Sequence, residues 1–228
     1  MARRDTPGLT GVPIDLGRSL TAERVAAHLL ELISRGELPS GTSLRETELA
    51  TTFDVSRNTV REAFRVLERD RLIVHQAHRG VTVRTLRPDE LDDLYRFRTL
   101  LEMEGLRFAT LDHLGPLEAA LSAAERVAGK GDARATLSED LRFHQAIVDL
   151  AGSPRMSVTF QGLLAELRLG LSSMEAQASG RWLNENRRIL AMLGEDDRAG
   201  ARRALRTYLA ESQRELHAHL TASDGAAS

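Results

Sequence analysis

Arg57, Asn58, Thr59 and Arg61 are the residues of this chain whose types and spacing best suit them to recognise another molecule. Side chains four apart lie on one face of a helix, so the two arginines point the same way. Val60, Ala63, Phe64 and Leu67 fall on the opposite face. A rod with an apolar back and a front of guanidinium, amide and hydroxyl groups can bury one side and donate with the other. Its natural acceptors are guanine O6 and N7 in a major groove, or the phosphates beside it. Ser56, immediately before it, is a residue type that caps a helix N-terminus. A second pair, Asp140 and His144, is also spaced by four. A carboxylate and an imidazole one turn apart make half of a divalent-metal site. Alternatively they hydrogen-bond each other and line a polar pocket.

The first cluster needs a scaffold, and the surrounding sequence supplies one. Thr21 to Arg35 predicts a helix with Val25, Leu29, Leu32 and Ile33 buried and Gly36 ending it. Leu38-Pro39-Ser40-Gly41 reads as a turn, Arg45–Phe53 as a second helix, and Phe53-Asp54-Val55 as the tight turn into a third helix over Ser56–Asp70. Leu72-Ile73-Val74 and Val81-Thr82-Val83 flank the polar stretch His75–Gly80, which predicts a β-hairpin. Three helices and a hairpin make a winged helix-turn-helix over residues 19–84. In that frame Arg45 reaches the DNA backbone, and His78, Arg79 and Gly80 at the wing tip enter the adjacent minor groove or touch phosphate.

Beyond a linker at 85–88 the pattern is helical throughout. Pro88 suits a first helical position, with Asp89 and Glu90 in the electropositive first turn. Helices are expected near 88–112, 115–129, 132–151, 154–173, 182–194 and 196–219, interrupted at glycine- and proline-bearing breaks. Trp182 then begins the penultimate helix. The fold class is mainly α: an N-terminal winged helix-turn-helix and a C-terminal all-helical bundle of about six helices over 89–220. Residues 1–18, rich in Gly, Pro and Arg, read as a flexible arm, and 221–228 as a disordered tail.

Composition narrows the classes further. The net charge is −2, divided into 13 Arg against 11 acidic residues over 1–86, and 18 basic against 22 acidic residues beyond. Such a mild asymmetry predicts DNA binding through placed arginines, not through a strong general field. Cysteine is absent, which excludes disulfides and thiolate metal sites and fits a cytoplasmic location. No apolar run reaches the length of a membrane span, and the N-terminus lacks the apolar core of a signal peptide.

Leu44-Arg45-Glu46, Glu48-Leu49-Ala50, Val55-Ser56-Arg57, Val60-Arg61-Glu62-Ala63 and Arg79-Gly80-Val81-Thr82-Val83 resemble the GntR family of bacterial transcription regulators. The resemblance covers residues 19–84, with one departure: Arg71 stands where the family commonly has Gly. Arg98, Glu102, Asp140 to His144 and Gly152 make the second half similar to the FCD domain of the FadR-type branch. That resemblance implies an all-helical domain that dimerises the protein and holds a small effector, often an organic acid. It also implies a divalent metal on Asp140, His144 and two further histidines. At the matching positions this chain has Asn186 and Tyr208, so the metal set is incomplete and these two become candidate ligand-binding residues. Arg98 is the candidate partner of an anionic ligand, or forms a salt bridge with Glu102 four residues on.

The resulting expectation is a homodimeric repressor that binds a double-stranded inverted-repeat operator and answers to a small molecule. Two other readings stand beside it. One is a constitutive DNA-binding dimer without effector; the other is a metal-dependent hydrolase built on Asp140 and His144.

Overall fold

The computed structural model describes residues 22–76, 80–171 and 174–226. The chain divides into two compact units, Met1–Thr85 and Leu86–Ser228. The residues expected as an arm, 1–18, and the wing-tip residues His78 and Arg79 lie outside the described residues.

In the first unit, α1 (Ala22–Ser34), α2 (Glu46–Thr52) and α3 (Arg57–Arg69) bury Val25, Leu29, Ile33, Leu49, Phe64 and Leu67 against one another. Each helix ends in the same way. The next residue but one turns left-handed, and its own amide and the one after it fold back onto carbonyls of the last turn. Gly36 does this after α1 at φ 69°, which glycine adopts without strain. Asp54 does it after α2 at φ 51°, with Val55 N donating to Ala50 O at 3.0 Å. That turn sets the angle between α2 and α3.

Arg71 does it after α3, at φ 58°. The family's glycine at this position is therefore the residue a left-handed turn favours, and the exchange for Arg leaves the turn intact. Arg71 N donates to Glu68 O and Leu72 N to Leu67 O, so the chain enters the hairpin in register. Strands β2 (Ile73–Gln76) and β3 (Gly80–Val83) pair antiparallel, Ile73 opposite Val83. A third strand, β1 (Ser43–Leu44), adds to the far edge of β3 and gives the order β1-β3-β2. Two residues carry no alternation, so β1 leaves no signal in the sequence.

The second unit packs α4 (Leu91–Arg107), α5 (Gly115–Ala128), α6 (Ala133–Asp149), α7 (Pro154–Leu171), α8 (Glu175–Gly194) and α9 (Arg198–Ala226). Three boundaries differ from expectation. Helix α4 stops at Arg107, and α8 begins at Glu175 because the Ser179-Gly180 break is absorbed; one internal glycine costs a helix only about 1 kcal/mol. Trp182 therefore lies inside α8 and is buried. Helix α9 continues to Ala226, so residues 221–226 of the tail expected to lose order are helical, and residues 227–228 lie outside the described residues. Leu86, expected in the linker, is buried in the second unit. No described helix is long and apolar enough to cross a membrane.

One contact fixes how α4 meets α6. A Cβ placed on Gly105 would lie 2.1 Å from the carbonyl oxygen of Ile147. Only glycine permits this approach, which brings the preceding turns of both helices, bearing Glu102 and His144, face to face.

Candidate functional site

The first candidate site is the outer face of α3. Ser56 Oγ accepts from Thr59 N at 3.1 Å and lies 2.9 Å from the Thr59 hydroxyl, so Ser56 and Thr59 cap the helix. Arg57 and Asn58 are exposed and Thr59 is half-buried, while Val60, Ala63, Phe64 and Leu67 face the core. Arg61 is exposed but held: its Nε donates to both oxygens of Glu46 on α2, at 3.0 and 2.9 Å. Neither bond uses the terminal nitrogens of the guanidinium. Arg45 pairs with Glu48 at 3.1 Å. Gly80 opens β3 at φ 79° with open space around it, a conformation that disfavours a side chain. Glu46 carries no local signal of its role, because its partner Arg61 lies fifteen residues away on another helix.

The second candidate site is inside the helical unit. Arg98 and Glu102 on α4, Asp140 and His144 on α6, Asn186 on α8 and Tyr208 on α9 are all buried and form one network. Arg98 Nε donates to Glu102 Oε1 at 2.6 Å, so the salt-bridge alternative holds for that nitrogen. The other oxygen of Glu102 meets His144 Nδ1 at 2.6 Å. Asp140 and His144 do not hydrogen-bond each other: His144 Nε2 stands 3.9 Å from Asp140 Oδ2, because the imidazole is turned toward Glu102. Asp140 instead accepts from Asn186 Nδ2 at 2.7 Å and, at a long 3.4 Å, from the Tyr208 hydroxyl. The Tyr208 ring lies parallel to His144, centroids 5.1 Å apart. Glu102 is thus the centre of the site, which sequence reasoning did not identify. Its link to His144 spans forty-two residues and leaves no local signal.

The electrostatics follow from burial and pairing. Burial alone would raise the Glu102 carboxyl, but His144 and Arg98 outweigh it and hold the group below its ordinary range. Burial pushes the Asp140 carboxyl up, and its neighbours offset only part of that. Burial first, and Asp140 second, push the Tyr208 phenol well above its ordinary range. Three polar atoms in this network have no partner among the described residues: Arg98 Nη2, His144 Nε2 and Asn186 Oδ1. Each such orphan costs about 1–3 kcal/mol unless a water or another molecule satisfies it.

The divalent metal implied by the resemblance does not fit these residues. In place of two imidazoles stand an amide whose nitrogen is committed to Asp140 and a phenol that stays protonated. Both are weak ligands for the metals that imidazole and carboxylate select. Among the described residues no three His, Cys, Asp or Glu side chains are placed to hold an ion.

Residues 21–83 match the model of the bacterial regulatory proteins, gntR family, and residues 93–211 match that of the FCD domain. The gluconate operon transcriptional repressor of Bacillus licheniformis is 34% identical over 58% of this chain and 56% of its own length. This chain spans between about half and two thirds of the length of the first curated relatives it matches. The galactonate operon transcriptional repressor of Escherichia coli strain K12 is 26% identical, over 85% of this chain and 96% of its own. Among solved structures, a transcriptional regulator GntR from Rhodococcus sp. RHA1 superposes with a TM-score of 0.80 at 31% identity, covering 86% of this chain and 96% of that one.

Proposed function

The chain belongs to the GntR family of bacterial regulatory proteins and carries its FCD domain, and on that premise we propose that it is a homodimeric repressor of an inverted-repeat operator, controlled by a small organic acid. It is a regulator and not an enzyme, which removes the hydrolase alternative. The observation that carries the reading is α3: capped by Ser56, apolar on its buried side, with Arg57, Asn58 and Arg61 outward. Arg45 and the wing residues His78, Arg79 and Gly80 supply backbone or minor-groove contacts in this reading. Relatives named as repressors of the gluconate and galactonate operons support the sign of regulation.

The homodimer is supported by a stripe on the outside of α4 and just beyond it. Phe97 and Leu100 lie one turn apart on α4, Phe108 and Leu111 follow its end, and all four are exposed, Leu100 to 63%. Large apolar side chains in a row are the usual core of a self-complementary twofold contact. A small-molecule effector is supported by the match to the FCD domain and by the three buried polar atoms of the network that have no partner among the described residues.

Selection from randomised duplexes tests the reading. The chain should enrich an inverted repeat with half-sites about one helical turn, or a multiple of it, apart. Arg57→Ala or Arg61→Ala should lose about 1–3 kcal/mol of discrimination at one base pair per half-site while the oligomer is unchanged. Enrichment of no sequence at low salt overturns the proposal.

A further inference from the structure

We infer that the outer face of α4 packs antiparallel against the same face of a second copy, with the twofold axis at Leu100. Asp93 and Arg96 then meet Arg107 and Glu104 of the partner subunit. This pairing rests on the homodimer reading above and adds its orientation, its register and the residues that decide both.

The charges of α4 change sign about Leu100. Asp93 stands seven residues before it and Arg107 seven after it; Arg96 stands four before it and Glu104 four after it. With 3.6 residues per turn, all four fall within about 40° of Leu100 around the helix axis. Asp93, Arg96 and Arg107 are exposed, Glu104 is half-buried, and Leu100 is exposed at their midpoint. Exposed Phe97 adds an aromatic ring one turn before Leu100. Within the chain Arg107 donates to Glu104 at 2.8 Å, while Asp93 and Arg96 form no ion pair among the described residues.

Two such faces can meet about a twofold axis in two senses. With the helices parallel, every position faces its own copy, so all four charges face like charges. With the helices antiparallel about Leu100, Asp93 faces the partner's Arg107 and Arg96 faces the partner's Glu104. The twofold then repeats both pairs. Leu100 meets its own copy in either sense, so the apolar centre does not choose between them. The charges do. Exposed opposite charges add little affinity, but juxtaposed like charges penalise the wrong arrangement and so fix orientation. They fix register too. Sliding the antiparallel pair by three residues sets Arg96 against the partner's Arg107 in one direction, and Asp93 against the partner's Glu104 in the other.

Sedimentation of the full chain and its charge variants tests the pairing, with circular dichroism confirming that each variant folds. R96E and E104R should each weaken the dimer by about tenfold or more, because each sets like charges face to face twice. R96E/E104R exchanges the two partners and should recover most of that loss. The chain contains no cysteine, so introduced thiols report alone. A short bifunctional thiol reagent should join L100C to itself and D93C to R107C. It should not join D93C to itself, since at 1.5 Å per residue those thiols stand about 20 Å apart along the paired helices. Single charge variants that dimerise as well as the unmodified chain, a double variant as weak as the single ones, or D93C joined to itself and not to R107C would overturn the antiparallel pairing while leaving the homodimer reading in place. An unmodified chain that sediments as a monomer at every concentration overturns the homodimer reading and this pairing with it.

Discussion

In the proposed reading, Arg61 would meet DNA already oriented. Both oxygens of Glu46 accept from its Nε, so the plane of the guanidinium is fixed from α2 and its terminal nitrogens stay available for a base. Exposed ion pairs contribute little to stability, about 0–1 kcal/mol. The effect of losing this one therefore belongs to selectivity. Glu46→Ala should leave Tm nearly unchanged, raise affinity for random duplex by removing a negative charge from the DNA-facing side, and blur the preference at one base pair per half-site. Duplex selection with the variant checks this; an unchanged preference would show that Glu46 does not position Arg61. Arg71 supports a prediction of opposite sign. Its left-handed backbone costs an ordinary residue about 1–2 kcal/mol, part of which glycine returns as entropy of the unfolded chain. Arg71→Gly should raise stability by up to about 1 kcal/mol in urea unfolding. A loss would mean that the arginine side chain contributes more than its backbone strain.

Helix α4 shows how one element serves two faces. Its inner side brings Arg98 and Glu102 to the buried network, and its outer side carries Phe97 and Leu100. Gly105 sets its distance from α6. Gly105→Ala forces a methyl group into the Ile147 carbonyl, so the helices must part by an ångström or more. Overpacking of this kind typically costs about 1–3 kcal/mol, and it should also separate Glu102 from His144. The variant is expected to lose any small-molecule shift in Tm while keeping its helical circular dichroism; an unaltered shift would show that the network tolerates the displacement. These elements also show what the sequence could reveal. Arg57 and Arg61, the Ser56 cap and the hairpin strands were legible because local spacing encodes them. Asp140, His144, Asn186 and Tyr208 are recognisable as one group from the sequence and lie in one network, but their bonding is not. Spacing placed Asp140 beside His144, whereas the imidazole turns to Glu102 on another helix. Long-range pairing, and a close approach such as Gly105 on Ile147, leave no periodic trace.

At the scale of the whole molecule, regulation requires that effector and operator bias the same equilibrium. An acid inside the helical unit changes operator affinity only if it binds two dimer geometries with different free energies. The outer side of α4 supplies a means in the proposed reading, since the helix that carries buried Arg98 and Glu102 also carries the exposed Phe97 and Leu100. Leu100→Glu should therefore weaken the dimer, seen as a concentration-dependent shift to monomer in sedimentation. It should also reduce operator affinity far more than affinity for a single half-site, because the two recognition helices then bind independently. Dimer and operator affinity unchanged in that variant would move the subunit contact elsewhere. Linkage adds a stricter requirement. Whatever factor the acid imposes on operator binding, the operator must impose on the acid, and about 1–3 kcal/mol of coupling gives a factor of roughly 5–150. Titration calorimetry of the acid against the free protein and against its complex with a selected operator duplex measures that factor directly. A weaker Kd in the complex is expected of a repressor released by its ligand, and a tighter one identifies a co-repressor. Equal values in the two titrations would mean that the site in the helical unit does not govern DNA binding.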